Sequence, residues 1–198
     1  MTQTAANGRI LRSGSHLKDT TTFPPFFSCP GEVKDIWPMI VRLMVDVEDI
    51  EGRKCRVAMH IQDRGMSFMQ KKNLVKAGHT IAVLYPMSHQ FMDFSEGFRI
   101  EDPSNVMFIR SSLKELFDAD TKVRSPLPAK CCADNCDKDE DLQACSGCRI
   151  TRYCGKEHQA AHWGAHKAEC KAISALSWFH NKDWTRFQNR QWFSFPPP

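Results

Sequence analysis

Thirty-nine residues constrain this chain more than any other stretch. They run CADNCDKDEDLQACSGCRITRYCGKEHQAAHWGAHKAEC, from Cys132 to Cys170. Within them Cys132, Cys136, Cys145, Cys148, Cys154 and Cys170 stand with His158 and His166, a set of eight soft or borderline donors. Zn²⁺ is closed by four such groups in a tetrahedron, so eight donors imply two structural sites. A segment this short cannot bury a self-sufficient core, and below roughly 40 residues metals or disulfides usually substitute for one. Disulfides fit poorly, because the chain shows no secretory leader and its nine cysteines leave an odd thiol.

Helical geometry limits which donors share an ion. Residues 156–171 (KEHQAAHWGAHKAECK) are rich in Ala, Lys and Glu and predict a helix. On it His158 and His166 are about 12 Å apart at ~1.5 Å per residue, too far for one tetrahedral ion. His166 and Cys170, at i and i+4, lie on one face and can share a site. His158 then belongs with Cys154, just before the helix. The pairs Cys132/Cys136 and Cys145/Cys148 complete the two sites. His162 falls between them on the same helix and reads as a surface or packing residue.

Two cysteine pairs, then Arg152-Tyr153-Cys154, three residues to His158, seven to His166 and three to Cys170, resemble the MYND zinc finger. In that family the sites interleave. The resemblance therefore implies one zinc on Cys132, Cys136, Cys154 and His158, and a second on Cys145, Cys148, His166 and Cys170. The sequence departs from the family pattern twice. The first pair is spaced by three residues where two is usual, which leaves Cys131 as a competitor of Cys132. His158 replaces the usual cysteine, a change that keeps a normal zinc ligand.

The resemblance also implies a partner. MYND domains bind short proline-rich segments, often Pro-x-Leu-x-Pro, in a shallow groove beside the zincs. Ser146, Gln159 and Trp163 match the groove positions. Gln159 and Trp163 are i and i+4 and project from one face. Trp163 offers a flat apolar surface to proline rings, and Gln159 a hydrogen bond to a backbone left free by the extended polyproline form. Pro126-Leu127-Pro128 is a fragment of such a ligand but reads as a stiff spacer.

The whole chain, 198 residues, has room for one modest domain beside the finger. The expected fold class is α+β: a small β-rich domain, OB-like barrel or open sheet, followed by the two-zinc finger with its C-terminal helix. The expected organisation is a flexible arm at 1–30, the β-rich domain at 31–120, a linker at 121–131, the finger at 132–170 and an aromatic-rich tail at 171–198. Basic residues precede the first acidic one in the arm, yet no amphipathic basic helix follows, so it is not read as a targeting signal; Cys29 reads as a free thiol. Strands are expected at 39–47, 56–61, 80–85, 97–100 and 105–109, the first two and the last two as hairpins. Short helices are expected at 69–76 and, from the Ser112-x-x-Glu115 capping box, after 112. GHTIAVLY, Phe91-Met92-Asp93-Phe94 and GFRIE are loosely similar to a segment preceding the finger in fungal MYND proteins. Trp178, Phe179, Trp184, Phe187, Trp192, Phe193 and Phe195 crowd the tail and imply that it folds back onto the barrel or finger.

Charge and motif content narrow the function. Residues 130–170 hold six Lys/Arg and seven Asp/Glu, and with two zincs and six thiolates the segment reaches about −3. Residues 38–120 hold 11 basic and 12 acidic side chains. Neither region has the positive balance that phosphate binding needs, so nucleic acid is not the expected partner. The rival reading is single-stranded RNA or DNA bound by an OB-like barrel, with Phe91, Phe94, Phe98 and Phe108 stacking bases. No glycine-rich phosphate loop or nucleophile–base spacing points to an enzyme, and no apolar run approaches the ~20 residues of a membrane span. The expectation is an intracellular adaptor, nuclear or cytoplasmic, holding two Zn²⁺ and reading proline-rich partners.

Overall fold

The computed structural model describes residues 31–38, 42–182 and 193–197. The expectations for residues 1–30, for 39–41 and for Trp184, Phe187 and Trp192 concern positions outside these. The described residues form two compact units, one of 31–38, 42–113, 182 and 193–197, and one of 114–181.

The first unit is a seven-stranded sheet. Its strands are β1 (Gly31–Pro38), β2 (Leu43–Glu48), β3 (Lys54–Met59), β4 (Thr80–Val83), β5 (Met87–Gln90), β6 (Glu96–Ile100) and β7 (Val106–Ile109). They lie in the order β5-β6-β3-β2-β1-β4-β7. In β2 the alternation is clean: Leu43, Val45 and Val47 are buried, while Met44, Asp46 and Glu48 face the other side. The turn into β3 is built by Asp49. Its carboxylate accepts the amides of Glu51 (2.8 Å) and Arg53 (2.9 Å), and Gly52 takes the left-handed φ of +78°. The run at β4 is buried at every position and lies between β1 and β7, as its continuous apolar character predicts.

Three expectations are corrected. The sheet is open, with β5 at one edge and β7 at the other, so the described residues hold no OB-like barrel. The stretches 97–100 and 105–109 do not form a hairpin. Instead β6 runs parallel to β3 and antiparallel to β5, while β7 pairs with β4. A 3-10 turn at Pro103–Asn105, capped by Asp102 accepting the Ser104 amide at 2.8 Å, redirects the chain between them. Gly97 permits the parallel pairing, since a Cβ there would lie 2.0 Å from the Arg56 carbonyl oxygen. Finally, the helix expected at 69–76 is α1 at Met66–Gln70. The Asp63 carboxylate accepts the amides of Gly65 and Ser67 and starts it earlier.

Helix α1 drives Phe68 into the core, where its ring meets Phe108 at 5.4 Å between centroids. Phe98 and Phe108 are core residues with Val45, Met59 and Ile81, and are therefore closed to base stacking. Part of the tail joins this unit: the Phe193 amide donates to Tyr85 Oη (2.6 Å), the Phe195 amide to the Ser104 carbonyl (2.7 Å), and Phe195 is buried. No helix among the described residues is long and apolar enough to cross a membrane.

Candidate metal centres and the adjoining groove

The second unit combines a short hairpin with two helices. Helix α2 (Leu113–Arg124) begins after Ser112, where the sequence predicts a helix, and runs four residues beyond residue 120. A two-residue hairpin, β8 (Gln143–Ala144) with β9 (Arg152–Tyr153), holds the loop that carries Cys145 and Cys148. Helix α3 (Lys156–His180) supplies His158, His166 and Cys170, then continues past the finger to bury Ala172, Ile173, Leu176 and Phe179.

Two sets of donors converge. Cys131, Cys136, Cys154 and His158 form one, and Cys145, Cys148, His166 and Cys170 the other; within each, all donor atoms lie within 4.8 Å of one another. The interleaving implied by the family resemblance is what the hairpin and helix produce. A tetrahedron with Zn–S of ~2.3 Å and Zn–N of ~2.0 Å has S···S edges of about 3.8 Å and S···N edges of about 3.5 Å. The observed separations are 3.8 Å for Cys136–Cys154 and for Cys145–Cys170. Cys131 Sγ and Cys154 Sγ stand 3.6 and 3.3 Å from His158 Nδ1, and Cys148 Sγ stands 3.5 Å from His166 Nε2. The donor sets fit tetrahedral zinc. Four protein ligands in each set close the coordination and make the metal structural.

One sequence-predicted ligand is displaced: the structure brings Cys131, not Cys132, to the first set. The amide of Cys131 donates to Lys138 O (2.8 Å) and that of Cys132 to Arg152 O (2.9 Å). Consecutive amides held by different neighbours in an extended stretch send the two side chains apart. Cys131 is buried. Cys132 is half-buried, with Sγ 3.9 Å from the Lys130 carbonyl. Four residues therefore separate the first two ligands, and Asn135 in the left-handed region (φ 58°) turns the chain between them.

Several supporting residues escaped sequence reasoning. His166 Nδ1 lies 3.1 Å from Glu169 Oε2 and 3.5 Å from Thr151 Oγ1. Lys122 Nζ in turn stands 2.5 Å from Glu169 Oε1. With Nε2 turned into the donor set, 3.5 Å from Cys148 Sγ, Nδ1–H donates to the carboxylate and fixes the ring's tautomer and orientation. The i,i+3 spacing of His166 and Glu169 is the signal that was present; Lys122 and Thr151 come from distant sequence and had none. Gly147 is demanded by contact, since a Cβ would lie 2.8 Å from Cys170 Sγ. His162 lies outside both sets; its Nδ1 is 3.0 Å from Tyr153 Oη and its ring stacks on His166 at 6.0 Å.

Ionisation in the two sets is uneven in a way a cation resolves. Burial opposes charge on Cys131, but the amides of Ala133 and Cys154 and the His158 ring outweigh it and bring the thiol down to about 6. Cys145 reaches about 6 similarly: burial opposes, while the Cys148 amide, His166 and the Gly147 amide lower it. Burial, together with the neighbouring sulfurs, pushes Cys154 up and Cys170 up to about 12. The protein thus favours a thiolate at one position of each set and opposes charge at Cys154 and Cys170, a conflict that a divalent cation resolves.

Beside the second set lies a groove of about 510 Å³. Ser146, Gln159 and Trp163 all line it, along with Gly147, Lys156, Ala160 and the sulfur-bearing Cys145 and Cys170. Gln159 Nε2 stands 3.5 Å from Cys145 Sγ, and Trp163 remains 41% exposed.

Residues 131–170 match the family model of the MYND finger. Over 43 residues the chain is 42% identical to histone-lysine N-methyltransferase ASHR1 of Arabidopsis thaliana, covering 22% of this chain and 9% of that protein. Over 33 residues it is 54% identical to SET domain-containing protein 14 of Caenorhabditis elegans, covering 17% of this chain and 8% of the relative. The chain thus spans less than a tenth of either relative, and the likeness is to the finger. This segment is a MYND finger, a zinc-binding protein-interaction module with two Cys₃His centres.

Proposed function

We propose that the chain is a non-catalytic adaptor whose finger recognises short proline-rich segments of partner proteins. The observation that carries this reading is the convergence of Ser146, Gln159 and Trp163 on one groove beside the second zinc set. A half-exposed indole presents a flat apolar face to proline rings. A polyproline helix leaves its backbone groups unpaired, and the side chains of Gln159 and Ser146 can hydrogen-bond to them. Zinc supplies rigidity here rather than chemistry, since both sets are filled by protein donors. So many thiols are also maintained best in a reducing compartment, nucleus or cytoplasm.

The test compares the zinc-loaded chain with its Trp163→Ala variant. The native protein is expected to bind Pro-x-Leu-x-Pro peptides in the micromolar range by fluorescence anisotropy. Trp163→Ala is expected to lose that binding while native mass spectrometry still finds two zinc ions. Unchanged affinity in a zinc-replete variant would rule out the groove.

A further inference from the structure

Lys156, Gln159 and Trp163 form a stripe along α3. Positions i, i+3 and i+7 share a helix face, and all three residues line the groove. Lys156 is the one cationic side chain in that lining, and among the described residues no carboxylate pairs with it. At ~1.5 Å per residue it stands roughly 10 Å from Trp163 along the helix axis. An extended proline-rich peptide, at ~3.1 Å per residue, spans that distance in three to four residues. The charge beneath the stripe has the opposite sign. Three thiolates and one Zn²⁺ leave the second set with about one negative charge, and Gln159 touches it through Cys145 Sγ at 3.5 Å.

We infer that the groove selects proline-rich segments bearing a carboxylate three or four residues from the proline seated on Trp163, with that carboxylate paired to Lys156. This rests on the proline-peptide reading of the groove and adds a charge and a register to it. A carboxylate nearer the centre of the peptide faces the Cys145 and Cys170 thiolates and is disfavoured. Lys156 is solvent-exposed, so the pair contributes about two- to fivefold in affinity, and salt screens it.

Anisotropy titrations of the full zinc-loaded chain test this with labelled Pro-x-Leu-x-Pro peptides. These carry Glu, Gln or Lys at the third or fourth position to either side of a proline. At low salt the Glu peptide is expected to bind best and the Lys peptide worst on one side of the motif. Lys156→Gln is expected to abolish the order and Lys156→Glu to invert it, both with two zincs retained. Equal affinities for the Glu and Gln peptides on the native chain would overturn the inference and leave the groove reading standing. So would a preference that persists in Lys156→Gln. Failure of every peptide to bind the zinc-replete native chain would overturn both.

Discussion

At the scale of single residues, the first zinc set turns on which of two adjacent cysteines faces inward. Spacing favours Cys132, whose three-residue gap to Cys136 lies nearer the usual two. Backbone hydrogen bonding decides for Cys131, by directing its side chain inside and that of Cys132 toward the surface. Cys131→Ser is therefore expected to lose one of the two zincs by native mass spectrometry, whereas Cys132→Ser retains both. The reverse outcome would return Cys132 to the ligand set. His158 shows the opposite situation. Its place in the site was legible, because it is the one Cys or His on the helix within reach of Cys154, and Nδ1 stands 3.3 Å from the Cys154 sulfur.

Among the elements, α3 does the most. Its first turns hold ligands of both sets, and its last turns bury Ala172, Ile173, Leu176 and Phe179. Two side-chain links join it to α2, Lys122 with Glu169 and Asp120 with His180. The metal-bearing and core-forming faces thus belong to one rigid rod, which is why the helix does not stop where the finger motif ends. Leu176 is fully buried, so Leu176→Ala is expected to destabilise the zinc-loaded chain by about 2–5 kcal/mol. Urea unfolding should show the loss while metal content stays at two. A cost under about 1 kcal/mol would mean that the helix's C-terminal half packs loosely.

For the molecule as a whole, stability of the finger is linked to protons through its thiols. Cys131 and Cys145 are lowered to about 6 from an ordinary thiol value of roughly 8.5. A depressed value contributes stability in full above the unfolded pKa, and the contribution is lost as pH falls through the folded one. Bound zinc competes further against protons, so both ions are expected to stay at pH 7 and to leave on acidification at or below about pH 6. A chromogenic chelator read between pH 9 and 4 checks this; release on raising the pH would contradict it. The zinc finger and its ligand chemistry were legible in the sequence because a tetrahedral ion needs particular donors at particular spacings, and those are local facts. The strands were mostly legible for the same reason: Leu43, Val45 and Val47 announce a half-buried strand by alternation alone. What the sequence could not state was partnership. Phe98 and Ile100 say that β6 is buried, and nothing in their neighbours says that it runs parallel to β3 rather than back along β7. The open sheet, the choice of Cys131 and the Lys122–Glu169–His166 chain were likewise settled only by tertiary structure, because each depends on which distant backbone or charge arrives alongside.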